Sequence, residues 1–198
     1  DDTAMALYMD SVVDSLDVTM VVAAGNDGPT TETISSPANA YNIISVGNID
    51  DGNTCAASGD ISGDSIASTS SRGPTIGGRV KPDIAAPGTN IISTAYNWEG
   101  ANSDFLSSTG TSMSAPHVAG AALIVLDYKA TATDPKIIKA LLLNSANSSA
   151  FTNKSSYGWG VLDMKNAYTH RDDVFANNVT EGSYKLYKGL NVVSGDKA

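Results

Sequence analysis

The first thirty residues carry a pattern that few folds can accommodate: an amphipathic helical stretch, a short apolar run and a glycine loop, in that order. Met5, Tyr8, Met9, Val12, Val13 and Leu16 recur at helical spacing, against a face of Asp10, Asp14 and Asp17, and predict a helix lying on a core. The next run, Val18 to Ala24, is almost wholly apolar, as expected of a strand covered on both faces, and it stops at Gly25-Asn26-Asp27-Gly28-Pro29. Helix, buried strand and glycine loop together are the grammar of a parallel α/β sheet.

The rest of the chain continues it. Buried strands are predicted over Asn42 to Gly47, Asp83 to Ala86 and Asn90 to Thr94, each closed by turn residues, with a long Ser/Gly/Asp-rich surface stretch from Asp50 to Gly78. After Thr109-Gly110, residues Ala115, Val118, Ala119, Ala122, Leu123, Val125 and Leu126 are apolar nearly all round, which predicts a central buried helix with Ser112 at its start and Pro116 in its first turn. A third helix is predicted from the Asp134-Pro135 cap through Leu142, and a short fourth from Asp163 to near Tyr168. Beyond His170 the pattern turns to strand-like pieces, Ser183 to Tyr187 and Leu190 to Val193. The expected organisation is a domain over residues 1–169 and, over 170–198, the start of an appended β-rich domain or tail.

Composition excludes several functions. The formal net charge of −9 comes from dispersed Asp and Glu, and Lys and Arg form no stripe that could neutralise phosphates, so nucleic acid and anionic membranes are poor partners. No run of about 18 apolar residues predicts a membrane span, and the opening Asp1-Asp2 does not resemble a signal peptide. Cys55 is alone, which excludes an internal disulfide framework and a multi-cysteine zinc site. Sequons beginning at Asn147, Asn153 and Asn178 give weak support to an extracellular or cell-surface setting.

Two residues stand where chemistry could be done. Ser112 lies between a glycine turn and the amino end of an apolar helix, where unpaired backbone N–H groups and the positive dipole end converge. Taken alone it reads as a helix cap. Asn26 offers a carboxamide at the carboxyl end of a strand, the edge at which open α/β sheets bind ligands; taken alone it reads as a turn residue.

Their surroundings decide between these readings. VVAAGNDGP, SSPANAYNIISVG, SSRGP, KPDIAAPGTNI and GTSMSAPHVAG, in this order, resemble the carboxyl-terminal half of the catalytic domain of subtilisin-like serine proteases, over roughly residues 1 to 168. The resemblance implies a three-layer α/β/α fold with a mostly parallel sheet, incomplete at its amino-terminal side. It implies that Ser112 attacks the scissile carbonyl, and that Asn26 binds the resulting oxyanion together with the backbone N–H of Ser112. Ala23, Ala24 and Gly25, just before the asparagine, would form one wall of the pocket for the substrate side chain. Asp27 and Glu32 could favour a basic side chain there, or be ordinary solvated turn residues.

The family's catalytic aspartate and histidine motifs do not occur in this sequence. His117 is five residues beyond Ser112, about 140° round a helix from it, and resembles the motif's structural histidine; His170 reads as an exposed junction residue. Asp83 sits in the KPDIAAPG stretch, which is structural in the family. The resemblance therefore implies a partner in the missing amino-terminal half of the catalytic domain, which would supply base and acid to a site acting on a polypeptide substrate. A propeptide is a further partner open to such a chain. No cofactor is required by this chemistry and no metal ligand set is assigned. Structural calcium stays open, since Asp50, Asp51, Asp60 and Asp64 fall in the longest loop without EF-hand spacing, and ordinary loop acidity accounts for them as well. The alternative from another class is a catalytically inactive domain serving as a structural or binding module in an extracellular assembly. An α/β-hydrolase esterase would need a G-x-S-x-G elbow, but the second residue after Ser112 is Ser114.

Overall fold

The structure, a computed structural model, describes residues 3–52, 61, 63–96, 104–128, 134–149 and 151–172. Cys55, Asp60, Asn178 and the strand-like pieces expected after residue 172 lie outside them.

The opening helix, α1 (Ala4–Leu16), is capped by the Thr3 hydroxyl, which accepts from Ala6 N. It leads to β1 (Val21–Ala23), β2 (Ile44–Asp50), β3 (Ser65–Ile66) and β4 (Ile84–Pro87). Both β1 and β4 pair with β2 in parallel, and β3 pairs with it antiparallel. Val46 faces Ala23 on one side and Ile84 on the other, while Ile49 faces Ile66 and Pro87. Strands β1 and β3 therefore share one edge of β2, and β4 takes the other. The sheet is mixed, with two parallel pairings about a central strand.

Two further strands, β5 (Ile91–Thr94) and β6 (Phe105–Ser108), form a separate antiparallel pair. This corrects the expectation of a buried strand over Asn90 to Thr94: Ser93 and Thr94 are exposed, as is most of β6, because this hairpin stands off the main sheet.

Helices cover both faces. Side chains alternate along a strand, so Val21, Ile44, Val46, Ile84 and Ala86 point to one face, where they meet α2 (Thr111–Tyr128) and α3 (Pro135–Ser145) through Val118, Ala121, Val125, Ile138, Leu141 and Leu142. Ile44, Ile84, Ile138 and Leu142 are fully withdrawn from water, each contributing about 1.5–3 kcal/mol of apolar transfer energy. Val22 points the other way and packs with Ile43, Ala40, Ala6 and Val13, which seats α1 on the opposite face. Further along that face Ile49 and Ala85 meet Val161, Phe151 and Tyr157, next to the short α4 (Lys154–Tyr157). The result is the expected three-layer α/β/α arrangement. Asp134 caps α3 by accepting from Lys136 N, with Pro135 at the first helical position, and Asp163 likewise caps α5 (Met164–Thr169).

Four expectations are corrected in detail. Of the α1 stripe only Val13 is fully buried, with Met9 and Val12 half-buried, while Met5, Tyr8 and Leu16 are exposed; Ala6 completes the packed line. Helix α2 is not buried all round, for Leu123 and Ile124 are 66% and 52% exposed, because no described residue packs over that side. Pro116 stands inside α2, not in its first turn, so the carbonyl of Ser112 lacks the usual N–H four residues on. Strand β1, expected to be covered, is only half-buried, and its outer edge pairs with no strand among the described residues.

Candidate active site

Strand β1 ends at Ala23 and the chain turns sharply through Gly25, whose φ of 109° lies where a side chain would be strained. The turn carries Asn26 to the amino end of α2. Asn26 and Ser112 are both exposed, and the buried Thr111, the residue before Ser112, is the one that Asn26 touches. Asn26 Oδ1 accepts from Thr111 N at 3.0 Å and from Thr111 Oγ1 at 3.1 Å.

The direction of these bonds fixes the asparagine. Thr111 Oγ1 accepts from Gly25 N at 3.3 Å, which leaves its own proton to be donated onward to Asn26 Oδ1. With its oxygen committed twice, the carboxamide must turn Nδ2 away from Thr111. No described residue accepts a hydrogen bond from that nitrogen.

The same contact caps the helix. One of the backbone N–H groups left over at the start of α2, that of Thr111, is satisfied by Asn26. Ser112 N, in the same first turn, has no intrahelical acceptor. Among the described residues no backbone N–H donates to Ser112 Oγ, so there it does not act as the cap that its position alone suggests. Two donors, Asn26 Nδ2 and Ser112 N, and one hydroxyl thus stand without a partner among the described residues near the positive end of an 18-residue helix.

The other predicted residues fall as follows. Gly25 and Ala23 are half-buried along the approach to Asn26, whereas Ala24 is 1% exposed with its methyl against Ile34 and Ala38, so it can offer a neighbouring molecule little but backbone. Asp27 and Glu32 are exposed. His117 is held on the outside of α2 by a bond between Nδ1 and Met113 O at 2.9 Å, which requires the proton on Nδ1. His170 follows the end of α5 as its C-cap. Neither histidine is bonded to Ser112.

Asp83 is structural. It is buried, accepts from Ser45 N at 2.8 Å and Lys81 Nζ at 2.6 Å, and lies 3.3 Å from Lys139 Nζ. Burial pushes the Lys81 ammonium down to about 8, and Asp83 opposes that shift. Among the described residues no group of three His, Cys, Asp or Glu side chains is placed to hold a metal ion, and no helix is long and apolar enough to cross a membrane.

Two residues that hold the site were not singled out from the sequence. Thr111 and Ser71 lie inside the GTSMSAPHVAG and SSRGP segments, but a serine or threonine in a string of turn residues carries no periodicity that marks it.

Residues 3–160 match the subtilase family. The chain is 40% identical over 162 residues to the serine protease AprX of Bacillus subtilis (strain 168), covering 77% of this chain and 36% of that protein. It is 35% identical over 159 residues to the membrane-bound transcription factor site-1 protease of Mus musculus, covering 76% of this chain and 14% of that protein. Among solved structures, the self-cleaved protease domain of PatA superimposes with a TM-score of 0.66 at 25% identity, over 87% of this chain and 57% of that one. The chain therefore spans about a third or less of these curated relatives and somewhat over half of the solved domain. A family match over most of the sequence, joined to an asparagine hydrogen-bonded to the residue before Ser112 in a three-layer α/β/α fold, leaves one assignment: this chain belongs to the subtilase family.

Proposed function

We propose that this chain is the carboxyl-terminal portion of the catalytic domain of a serine endopeptidase. Ser112 Oγ bonds to the scissile carbonyl carbon, its proton passes to a histidine, and the carbonyl oxygen becomes an oxyanion. Asn26 Nδ2 and Ser112 N donate to that oxygen. The leaving amine takes the proton as the peptide C–N bond breaks, and water then hydrolyses the acyl-enzyme. The observation that carries this reading is the pair of hydrogen bonds from Thr111, the residue before Ser112, to Asn26 Oδ1, which turns the amide's donor end away from Thr111.

The histidine and its orienting aspartate lie in a preceding part of the polypeptide, in the position the family gives them. Two features support this: neither His117 nor His170 is bonded to Ser112, and both the outer edge of β1 and the apolar Leu123 and Ile124 face of α2 lack a covering layer among the described residues. A sheet with an open edge and a helix with bare leucine and isoleucine are poor endings for a stable domain. Ala23, Ala24 and Gly25 form one wall of the pocket for the substrate side chain, and a polypeptide is the substrate. The chemistry needs no cofactor; a calcium ion in a surface loop, or a propeptide, would act on folding and not on the bond-breaking step. The setting is extracellular or at the cell surface.

The test is peptide-bond hydrolysis by the full-length protein on an unfolded protein substrate. Internal cleavage that disappears in Ser112→Ala is the expected result, and cleavage unchanged by that substitution contradicts the reading.

A further inference from the structure

Asn26 is gripped from two sides, and only one of them is the helix. Ser71, fully buried, spans the asparagine on the other side: its N donates to Gly25 O at 2.9 Å, and its Oγ accepts from Asp27 N at 3.1 Å. The residues before and after Asn26 are thus tied to a single side chain and its own backbone. A Cβ on Gly25 would lie 2.7 Å from Ser71 Oγ, so the hydroxyl occupies the space that a side chain at Gly25 would need.

Ser71 is itself anchored on both flanks. Ser70, equally buried, accepts from Asn48 N on β2 at 3.0 Å. Arg72 donates from Nε to Ser70 O, from Nη2 to Ala67 O and from Nη1 to the buried Ser156 hydroxyl, at 3.0, 3.1 and 2.8 Å. Its backbone exchanges bonds with Thr33. A segment this heavily pinned cannot follow the Asn26 loop if the loop shifts; the loop must follow the segment.

We propose that Ser71 is a positioning residue for catalysis, setting the reach of Asn26 Nδ2 towards the developing oxyanion. The proposal rests on the reading of Asn26 as an oxyanion donor. Thr111 fixes which way the carboxamide faces; Ser71 fixes where the backbone that carries it stands. An oxyanion donor acts in the transition state, so displacing it lowers kcat while leaving ground-state binding nearly intact.

The test is steady-state hydrolysis of a peptide amide by the full-length protein carrying Ser71→Ala, Asp163→Ala, Asn26→Ala and the Ser71→Ala/Asn26→Ala pair. Asp163→Ala removes the N-cap bond of α5 to Asn166 N, which touches neither the Asn26 loop nor the segment that holds it, so it reports what a purely structural loss does. Ser71→Ala should lower kcat roughly tenfold with KM within about twofold, and Asp163→Ala should lower the melting temperature with kcat kept. In the Asn26→Ala background, Ser71→Ala should cost little further turnover. Where Ser71→Ala does not fold, Ser71→Cys, which keeps a weak acceptor in nearly the same volume, should give an intermediate kcat. An unchanged kcat in whichever Ser71 variant folds, or the same fractional loss with and without Asn26, overturns the proposal. A kcat insensitive to Asn26→Ala alone overturns the oxyanion reading instead, and the two failures are told apart by that single variant.

Discussion

Asn26 accepts two hydrogen bonds from Thr111, at 3.0 Å from the backbone and 3.1 Å from the hydroxyl, so a loop residue is oriented by the first residue of a helix 85 positions away. The contact does two jobs. It satisfies an otherwise bare N–H at the start of α2, and it leaves the asparagine's donor end turned away from Thr111.

If that amide binds the oxyanion, Asn26→Ala should lower kcat by about 10²–10³ with a small change in KM. The range is one established for subtilisin itself, a member of the same family, and is carried over from there. Steady-state kinetics on a peptide amide substrate checks it, and a loss confined to KM would count against an oxyanion role.

Thr111→Val keeps the side-chain volume and the backbone donor but removes the hydroxyl. Asn26 Oδ1 then loses one of its two bonds, and Gly25 N loses its acceptor. Turnover should fall roughly tenfold, and stability by about 1–3 kcal/mol, because a buried polar contact is left incomplete. Paired kinetic and denaturant measurements separate the two effects; unchanged turnover at lowered stability would make Thr111 a purely structural residue.

The layers of the fold were legible because each left a distinct trace in the sequence. The Asp134-Pro135 and Asp163 caps mark the starts of α3 and α5, since a capping oxygen must stand just ahead of the first free N–H groups. The order of the glycine loop after β1 and the Gly110 turn before α2 marks where Asn26 and Ser112 belong. What was not legible is what sequence periodicity cannot hold. An apolar run such as Ile91-Ile92 reads as a buried strand wherever it lies, yet it belongs to an exposed hairpin because its partner Phe105–Ser108 stands off the main sheet. In the same way, α2 is apolar on sides that the described residues bury and on sides that they leave open. The supporting roles of Ser71 and Thr111 depend on bonds across 44 and 85 positions, which no local pattern records.

The open side of α2 gives a test of the proposed preceding segment. In the full-length protein, Leu123→Asp should destabilise the fold by more than about 2 kcal/mol, as expected for a charge placed in a packed layer, whereas a substitution on a solvent-facing side would stay within about 0.5 kcal/mol. Urea unfolding of the full-length protein, with and without the substitution, distinguishes the two. A near-zero difference would mean that nothing covers Leu123.

Lys81 carries a pH dependence with a definite sign. Its ammonium is held down at about 8 by burial first, with Lys139 and Arg79 adding to the effect and Asp83 opposing it, against 10.5 when unfolded. Between those values the unfolded chain binds more protons than the folded one, so stability rises with pH across that window. In a Ser112→Ala background, which prevents self-digestion, the unfolding free energy of the Lys81 protein relative to Lys81→Met should rise by on the order of 3 kcal/mol from pH 8 to 10.5. A difference that stays flat over the window would mean the ammonium is not burdened by its burial.

The most direct measurement for the whole account is labelling of the full-length protein with a fluorophosphonate, which reacts only with a serine hydroxyl activated by a neighbouring base. Peptide mass spectrometry should place one adduct, on Ser112, and Ser112→Ala should abolish it together with hydrolysis. A protein whose intact catalytic base is present, and which nonetheless takes no label at Ser112 or takes it on another serine, would contradict the assignment of Ser112 as the nucleophile.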